Sequence, residues 1–151
     1  INRSIISKLY DEDYENMVAI VQDLNFEKYI YNDLNSILLE MIAAYDINHN
    51  EVLLEVTEKM AEILLQHYDT YVHAIVNLLQ IKKRKTILSK EDKKVLYDIK
   101  KSAEDKFLIC GIDILLDNEY EVLEAYGNFD EVERNLFKTL PITNIYSGSL
   151  E

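Results

Sequence analysis

Residues 72–85 read VHAIVNLLQIKKRK, an almost unbroken apolar run that ends in four consecutive basic residues. The whole chain carries a net charge of −12, so the run is either a membrane segment with a basic flank, a nucleic-acid contact or the end of a buried helix. A membrane-spanning helix needs about 20 apolar residues, and Val72–Ile81 is far shorter. We therefore interpret the run as a buried helix. Cations at its C-terminal end complement the helix dipole and reach solvent; they are Lys82, Lys83, Arg84 and Lys85.

Two further apolar stretches have the same character, and the three are evenly spaced. Leu34–Tyr45 and Phe107–Leu116, like Tyr71–Ile81, are apolar on nearly every side of a helix, and helices of that kind are buried. Their centres fall near residues 40, 76 and 112, so each lies about 36 residues from the next. The 3 Gly and 1 Pro are too few for sheets with tight turns. The sequence predicts an all-α protein of about eight helices.

Amphipathic segments separate the buried ones. In Glu51–Gln66 the apolar positions follow steps of three and four residues, and glutamates form the opposite face. Lys90–Lys101 and Asp11–Leu24 show the same pattern, and Ser89 with Asp92 three residues later is typical of a helix start. A buried helix that alternates with an amphipathic one at a fixed spacing is typical of stacked helical hairpins.

Two segments resemble units of the tetratricopeptide family. Val52–Lys85 reads as a helix, a turn and an inner helix, and residues 110–140 are similar to a second unit. Small residues stand at close-packing positions in both segments: Ala61, Ala74, Gly111 and Ala125. The resemblance implies a right-handed stack of antiparallel helical hairpins, a tetratricopeptide-like superhelix that binds peptides or protein surfaces.

The length of 151 residues fits one domain, and we expect a single helical-repeat domain over residues 1–146. The chain does not begin with Met, which suggests a C-terminal fragment of a longer protein, and residues 147–151 read as a tail derived from cloning. The single cysteine, Cys110, excludes an internal disulfide and fits a reducing compartment, so we expect a cytoplasmic location. Apolar runs of about 18 residues are missing, and no contact with a membrane is expected.

Charge is distributed unevenly along the chain. Residues 1–81 carry 14 acidic and 4 basic side chains, residues 82–106 carry 5 and 10, and residues 107–151 carry 9 and 2. We call residues 82–106 the basic island. The acidic remainder disfavours nucleic acid, because phosphate binding gains free energy by counterion release to cationic groups. It favours solubility or the attraction of a basic partner, while a phosphate or an acidic segment is an alternative partner for the island.

The sequence pattern does not bring candidate catalytic residues together. His67 and His73 flank a predicted helix break, and a metal site built from Glu62, Asp69 and His73 is less plausible than a helix-start carboxylate and a half-buried imidazole. Cys110 lies in the most apolar helix without a basic neighbour, which is typical of a core thiol. We predict that the protein is not an enzyme and has no catalytic residues, metal or cofactor.

The favoured hypothesis is a non-enzymatic helical-repeat module that binds a protein or peptide, as an accessory or regulatory domain of a larger bacterial protein. Inner helices of such a stack line a groove, and their exposed polar residues would bond an extended peptide; the candidates are Asn35, Glu40, His73, Asn77 and Gln80. Eleven tyrosines also favour a binding surface, since tyrosine supplies rigid contact area with one polar end. An AT-rich coding sequence would explain the same excess.

Two other hypotheses stay open at the level of sequence. The net charge of −12 fits an acidic immunity protein or antitoxin that neutralises a basic toxin. A purely structural helical domain that forms oligomers through its inner face is the third. The sequence specifies neither the partner nor the oligomeric state.

Overall fold

The computed structural model describes residues 2–24 and 30–150, with side chains from residue 5 onward in the first of these ranges. Within these ranges the chain forms nine α-helices and one 3₁₀ helix and contains no strand, so the all-α prediction is confirmed. The helices are α1 Asn2–Tyr10, α2 Tyr14–Gln22, α3 Tyr31–Asn48, α4 Glu51–His67, α5 Val72–Lys85, α6 Lys90–Ser102, α7 Lys106–Leu115, α8 Glu119–Asn128, α9 Glu131–Lys138 and the 3₁₀ helix Pro141–Ile145.

The chain divides into two compact units, residues 1–81 and residues 82–151, which we call the first and the second unit. Their boundary falls within α5. Compact units of one chain can fold together or separately. The prediction of one domain over residues 1–146, with a tail at residues 147–151, therefore stays a prediction.

The first unit is built around α3 and α4. Only His49 and Asn50 separate these helices: His49 takes the left-handed conformation with φ 54°, and the Asn50 side chain accepts hydrogen bonds from the first backbone N–H groups of α4. α4 packs against α2 and α3, and α1 packs against the same two helices. The core is aliphatic, and its fully buried side chains include Ile5, Met17, Leu34, Met41, Leu53, Met60 and Leu64.

The second unit is built around α7, which packs against α6, α8 and the 3₁₀ helix. Aromatic rings form much of its core. Ring centroids in this cluster lie 5.3 to 6.4 Å apart; its members are Phe107, Tyr126, Phe129 and Phe137. The predicted helix start at Ser89 is confirmed as a full capping box with Asp92.

The three apolar runs are all helical, but they are not equally buried. In α5 every residue from Val76 to Ile81 is buried, and in α7 seven of the ten residues are buried. In α3, by contrast, Ser36 and Glu40 are exposed. Leu34–Tyr45, apolar on nearly every side, therefore keeps a solvated face at these polar side chains, one of which, Glu40, was expected to be exposed.

Residues 110–140 also differ from the expected pair of helices. They form the greater part of α7 and all of α8 and α9. Phe129 takes an extended backbone conformation, and the Asp130 side chain then caps α9 in a capping box with Glu133. The extra break explains why the described ranges hold nine α-helices where the sequence predicted about eight helices.

Candidate functional site

Three of the five predicted binding residues lie in one hydrogen-bonded row within the first unit. Gln80 Nε2 donates to Asn77 Oδ1 at 2.9 Å, and Asn77 Nδ2 donates to Asn35 Oδ1. Asn35 comes from α3, while Asn77 and Gln80 are three residues apart on α5 and therefore share a helical face. We call Asn35, Asn77 and Gln80 the polar row.

The prediction that Asn77 and Gln80 are exposed is wrong. Asn77 is 6% exposed and Gln80 is 2% exposed, so neither presents its amide to an open groove. Buried polar groups are normally hydrogen-bonded. Asn77 finds its partner Asn35 on α3, whereas Gln80 donates to Asn77 on its own helix. Asn35 is half-buried and lies at the accessible end of the row. Glu40 and His73, the other two candidates, are exposed.

A cluster of three tyrosines adjoins the row. Tyr31 begins α3, and its ring centroid lies 5.1 Å from that of Tyr68 and 4.6 Å from that of Tyr71, both edge-on. The rings of Tyr68 and Tyr71 are 5.5 Å apart. The Tyr31 hydroxyl donates to Asn35 Oδ1 at 3.4 Å, a long bond that joins the cluster to the polar row. We call these three residues the tyrosine cluster.

The tyrosine cluster is buried at one side and open at the other. Tyr31 is 8% exposed, whereas Tyr71 is 46% exposed. Burial, followed by the influence of Tyr71, raises the pKa of Tyr31 to about 12. Its hydroxyl therefore stays protonated even in alkaline solution below that value and remains a donor to Asn35. The arrangement is a fixed aromatic base with one ring accessible to a partner.

The chain neighbours of the tyrosine cluster give its edge a mixed character. Ile30, next to Tyr31, is 63% exposed, and Val72, next to Tyr71, is 37% exposed. Asp33 and Asp69 follow Tyr31 and Tyr68 closely in the chain, and both are exposed. Exposed aromatic and aliphatic groups with exposed carboxylates close to them in the chain suit a partner that carries both apolar and cationic groups.

Sequence reasoning found part of this site. The excess of tyrosine was visible, and so was the turn that Tyr68 and Tyr71 flank. No local pattern connects them with Tyr31, which lies 37 residues before Tyr68 in the chain. The connection depends on the packing of helices that are distant in sequence.

The sequence predicted that the four cations of residues 82–85 reach solvent, but Lys83 and Arg84 bind backbone carbonyl oxygens. Lys83 Nζ donates to the carbonyl oxygens of Ile114 and Leu115 at 3.2 and 2.8 Å and to Asp117 Oδ1 at 2.7 Å. Arg84 Nη2 donates to the Pro141 carbonyl oxygen at 2.8 Å. Lys82 is half-buried, and Lys85 is the only exposed residue of the four. Lys83 and Arg84 thus tie parts of the second unit together.

The thiol of Cys110 is fully buried in α7. Burial, with a smaller contribution from Asp113, raises its pKa to about 12, so it is a poor nucleophile at neutral pH. Among the residues that the structure describes, no three His, Cys, Asp or Glu side chains are grouped so that they could hold a metal ion. No helix in the same residues is long and apolar enough to cross a bilayer.

Comparison of the chain with known protein families, with characterised proteins and with solved structures finds no significant match. The tetratricopeptide resemblance therefore stays a prediction from the residues themselves.

Proposed function

We propose that the protein is a non-enzymatic helical interaction module, a tetratricopeptide-like stack of hairpins, that binds a basic segment of a protein or peptide at the tyrosine cluster. The observation that carries the proposal is the cluster itself: three packed rings, one of them 46% exposed, on a base tied to the polar row. Rigid, half-exposed tyrosines are typical of binding hot spots.

Charge supports a basic partner. The first unit carries 14 acidic and 4 basic side chains; Asp69 lies two residues before Tyr71 in the chain, and Asp33 lies two residues after Tyr31. An Arg or Lys side chain over a tyrosine face gains about 0.5–1 kcal/mol from the cation–π interaction at exposed sites. The acidic field would also speed the association of a cationic segment.

The polar row has a supporting part in this proposal. Asn77 and Gln80 are buried, so they hold Asn35 in place rather than bond the partner. Asn35 in turn accepts from the hydroxyl of Tyr31, which fixes the base of the cluster. Fixing the side chains before binding reduces the entropy lost on association.

Tyr71→Ala tests the proposal, with Tyr97→Ala as the matched control. Both tyrosines are 46% exposed, but Tyr97 lies on α6 in the second unit. The probes are synthetic peptides of equal length that differ in Lys and Arg content. We expect Arg- and Lys-rich peptides to bind the native chain, and Tyr71→Ala to weaken binding about tenfold, as expected for a hot-spot residue. Tyr97→Ala should leave the dissociation constant unchanged; equal effects of the two variants, or equal binding of acidic peptides, would contradict the proposal.

An acidic immunity protein or antitoxin is the second candidate, and α4 favours it. Glu51, Glu55 and Glu62 are exposed and lie four and seven residues apart, so they form one stripe along the helix. A broad acidic face fits a folded basic protein. If charge reversal by Glu55→Lys with Glu62→Lys abolishes partner binding while Tyr71→Ala does not, this second candidate is favoured over the tyrosine cluster.

A further inference from the structure

The second unit contains a cavity of about 390 Å³ at the end of α5 and the start of α6. Four cationic side chains line it: Lys83, Arg84, Lys85 and Lys93. Thr86 adds a hydroxyl, and Asp117 contributes the single carboxylate of the lining. In a chain of net charge −12, this is an unusual concentration of positive charge.

Two of these cations fix the shape of the cavity. Lys83 joins the end of α5 to the end of α7 through the carbonyl oxygens of Ile114 and Leu115, and it pairs with Asp117 at 2.7 Å. Arg84 holds the carbonyl oxygen of Pro141. The walls are therefore tied by charge-assisted hydrogen bonds, which are about twice as strong as neutral ones.

The other two lysines of the lining lie on the two helices that border the cavity. Lys85 and Lys93 are both exposed, and they come from the last turn of α5 and from the first turns of α6. A small cleft with one sign of charge and low-dielectric walls concentrates its electric field and attracts ions of the opposite sign.

The remaining walls are apolar and come from Ile87, Leu88 and Leu115. Ile87 is 85% exposed, whereas Leu88 and Leu115 are buried. A large exposed isoleucine beside a cationic wall suits a ligand with an anionic end and an apolar part. The volume lies within the range of about 300–1,000 Å³ typical of sites for small molecules.

We propose that this cavity binds a small organic molecule that carries two or more linked phosphate groups. The oligophosphate lies against Lys85, Lys93 and the tied pair Lys83 and Arg84, and the apolar part of the ligand packs on Ile87. Oligophosphate is favoured over a single phosphate because several cations meet at one cavity. This site belongs to the second unit and does not depend on the tyrosine cluster.

The first test is calorimetric titration of the native chain with pyrophosphate and, separately, with orthophosphate. We expect pyrophosphate to bind at least about tenfold more tightly, because a second phosphate engages further cations. Undetectable binding of pyrophosphate at low ionic strength, or equal affinity for the two anions, would overturn the proposal.

The second test compares two double variants that remove the same charge. Lys85→Ala with Lys93→Ala changes the exposed cations of the cavity, whereas Lys101→Ala with Lys138→Ala changes two exposed lysines outside its lining. We expect the first variant to weaken pyrophosphate binding about tenfold or more and the second to weaken it less than threefold. Equal weakening would show a general charge effect and refute the site. Lys93→Ala alone, with a smaller expected loss in the same direction, keeps the test valid if the double variant unfolds.

A third test separates the small ligand from larger anions. Vesicles rich in anionic phospholipid, single-stranded DNA and a phosphoserine peptide are each titrated in the same buffer. We expect pyrophosphate to bind in solution and to compete with any of these that bind. Binding of one of them without binding of pyrophosphate would reject the assignment to a small molecule.

Discussion

The two units of this chain bury their surface in different ways. The first unit is built around two long helices, α3 with 18 residues and α4 with 17, beside the 9-residue α1 and α2, whereas α7, α8 and α9 of the second unit have 10, 10 and 8. Every α-helix leaves four carbonyl groups at its C-terminal end without a partner inside the helix, whatever its length. Short helices therefore leave a larger share of their backbone to be satisfied by other groups.

In the second unit, cations bind some of these carbonyls in addition to backbone N–H groups. Lys83 donates to the last two carbonyl oxygens of α7. Arg134 Nε donates to the Tyr126 carbonyl oxygen at 3.1 Å and Nη2 donates to that of Gly127 at 2.8 Å, in the last turn of α8. Its guanidinium also lies 5.8 Å from the centre of the Tyr126 ring. Basic residues thus have a structural role in the second unit.

The two units also differ in the kind of polar group that they bury. The first unit buries neutral amides, Asn77 and Gln80, which bond each other. The second unit buries the carboxylate of Asp113, which accepts from Lys100 Nζ at 2.6 Å and from Asn118 Nδ2 at 3.0 Å. A charged group that loses its partners costs more than a neutral one, so the second unit should be the more sensitive to polar substitution.

The largest effect is expected from Phe137→Ala, which removes a fully buried ring from the aromatic cluster. Loss of a buried Phe costs about 3–5 kcal/mol of unfolding free energy. Leu136→Ala, at a neighbouring position that is 54% exposed, is the control and should change that free energy by less than about 1 kcal/mol. Urea denaturation followed by circular dichroism measures the unfolding free energy of both variants. A Phe137→Ala variant as stable as the native chain would contradict this packing. If only one of two transitions shifts, the units unfold separately.

Asp113→Ala should have the next largest effect, since it leaves Lys100 and Asn118 without their shared acceptor. We expect a loss of about 2 kcal/mol, within the range for hydrogen bonds to charged groups, because Lys100 is itself partly exposed. Asn77→Ala in the first unit should cost about 1 kcal/mol by the same measurement. Asp98→Ala breaks an exposed pair with Lys101 and should change stability by less than about 0.5 kcal/mol. A larger loss of unfolding free energy in Asn77→Ala than in Asp113→Ala would contradict the expectation that the second unit is the more sensitive to polar substitution.

Arg134→Met tests whether the cations of the second unit are structural. It keeps an apolar stem but removes the hydrogen bonds to the end of α8, and we expect a loss of about 1 kcal/mol. Lys59→Met, on the exposed surface of α4, removes the same charge from the first unit and should stay within about 0.5 kcal/mol of the native chain. Equal losses in thermal unfolding would refute the structural role.

The smallest expected effect concerns the titration of Glu133. The backbone N–H of Asp130 donates to this carboxylate at 2.9 Å and Lys106 pairs with it at 3.1 Å, and together they lower the pKa of Glu133. The stabilisation linked to this shift is present above the ordinary glutamate pKa and is lost as the pH falls through the lowered value. Carboxyl carbon NMR should show a midpoint below the ordinary value, and Lys106→Met should raise it without restoring it fully. A midpoint that Lys106→Met leaves in place would rule out the contribution of the pair.

Much of the secondary structure was predictable because its signals are local. The three apolar runs fall on α3, α5 and α7, and Ser89 with Asp92 marks the start of α6. The start of α9 was missed, although Asp130 and Glu133 form the same kind of pair three residues apart. Such a pair is a local signal, and the capping rule predicts this helix start from the sequence alone.

The candidate site was less predictable. Asn77 and Gln80 were predicted, with Asn35, Glu40 and His73, to be exposed binding residues, and their burial was not foreseen. Because Tyr71–Ile81 is apolar on nearly every side of a helix, its pattern does not show which side meets a neighbour. Exposure at such positions follows from the arrangement of the other helices.

The sequence by itself determined the helical character of the chain, the position of most helices and the uneven distribution of charge. Periodicity and capping depend on residues within about four positions of one another, so they can be read directly from the sequence. Only the tertiary structure decided that Tyr31 meets Tyr71 and that Lys83 meets the end of α7. Such pairs lie tens of residues apart, and their contact depends on the packing of whole helices.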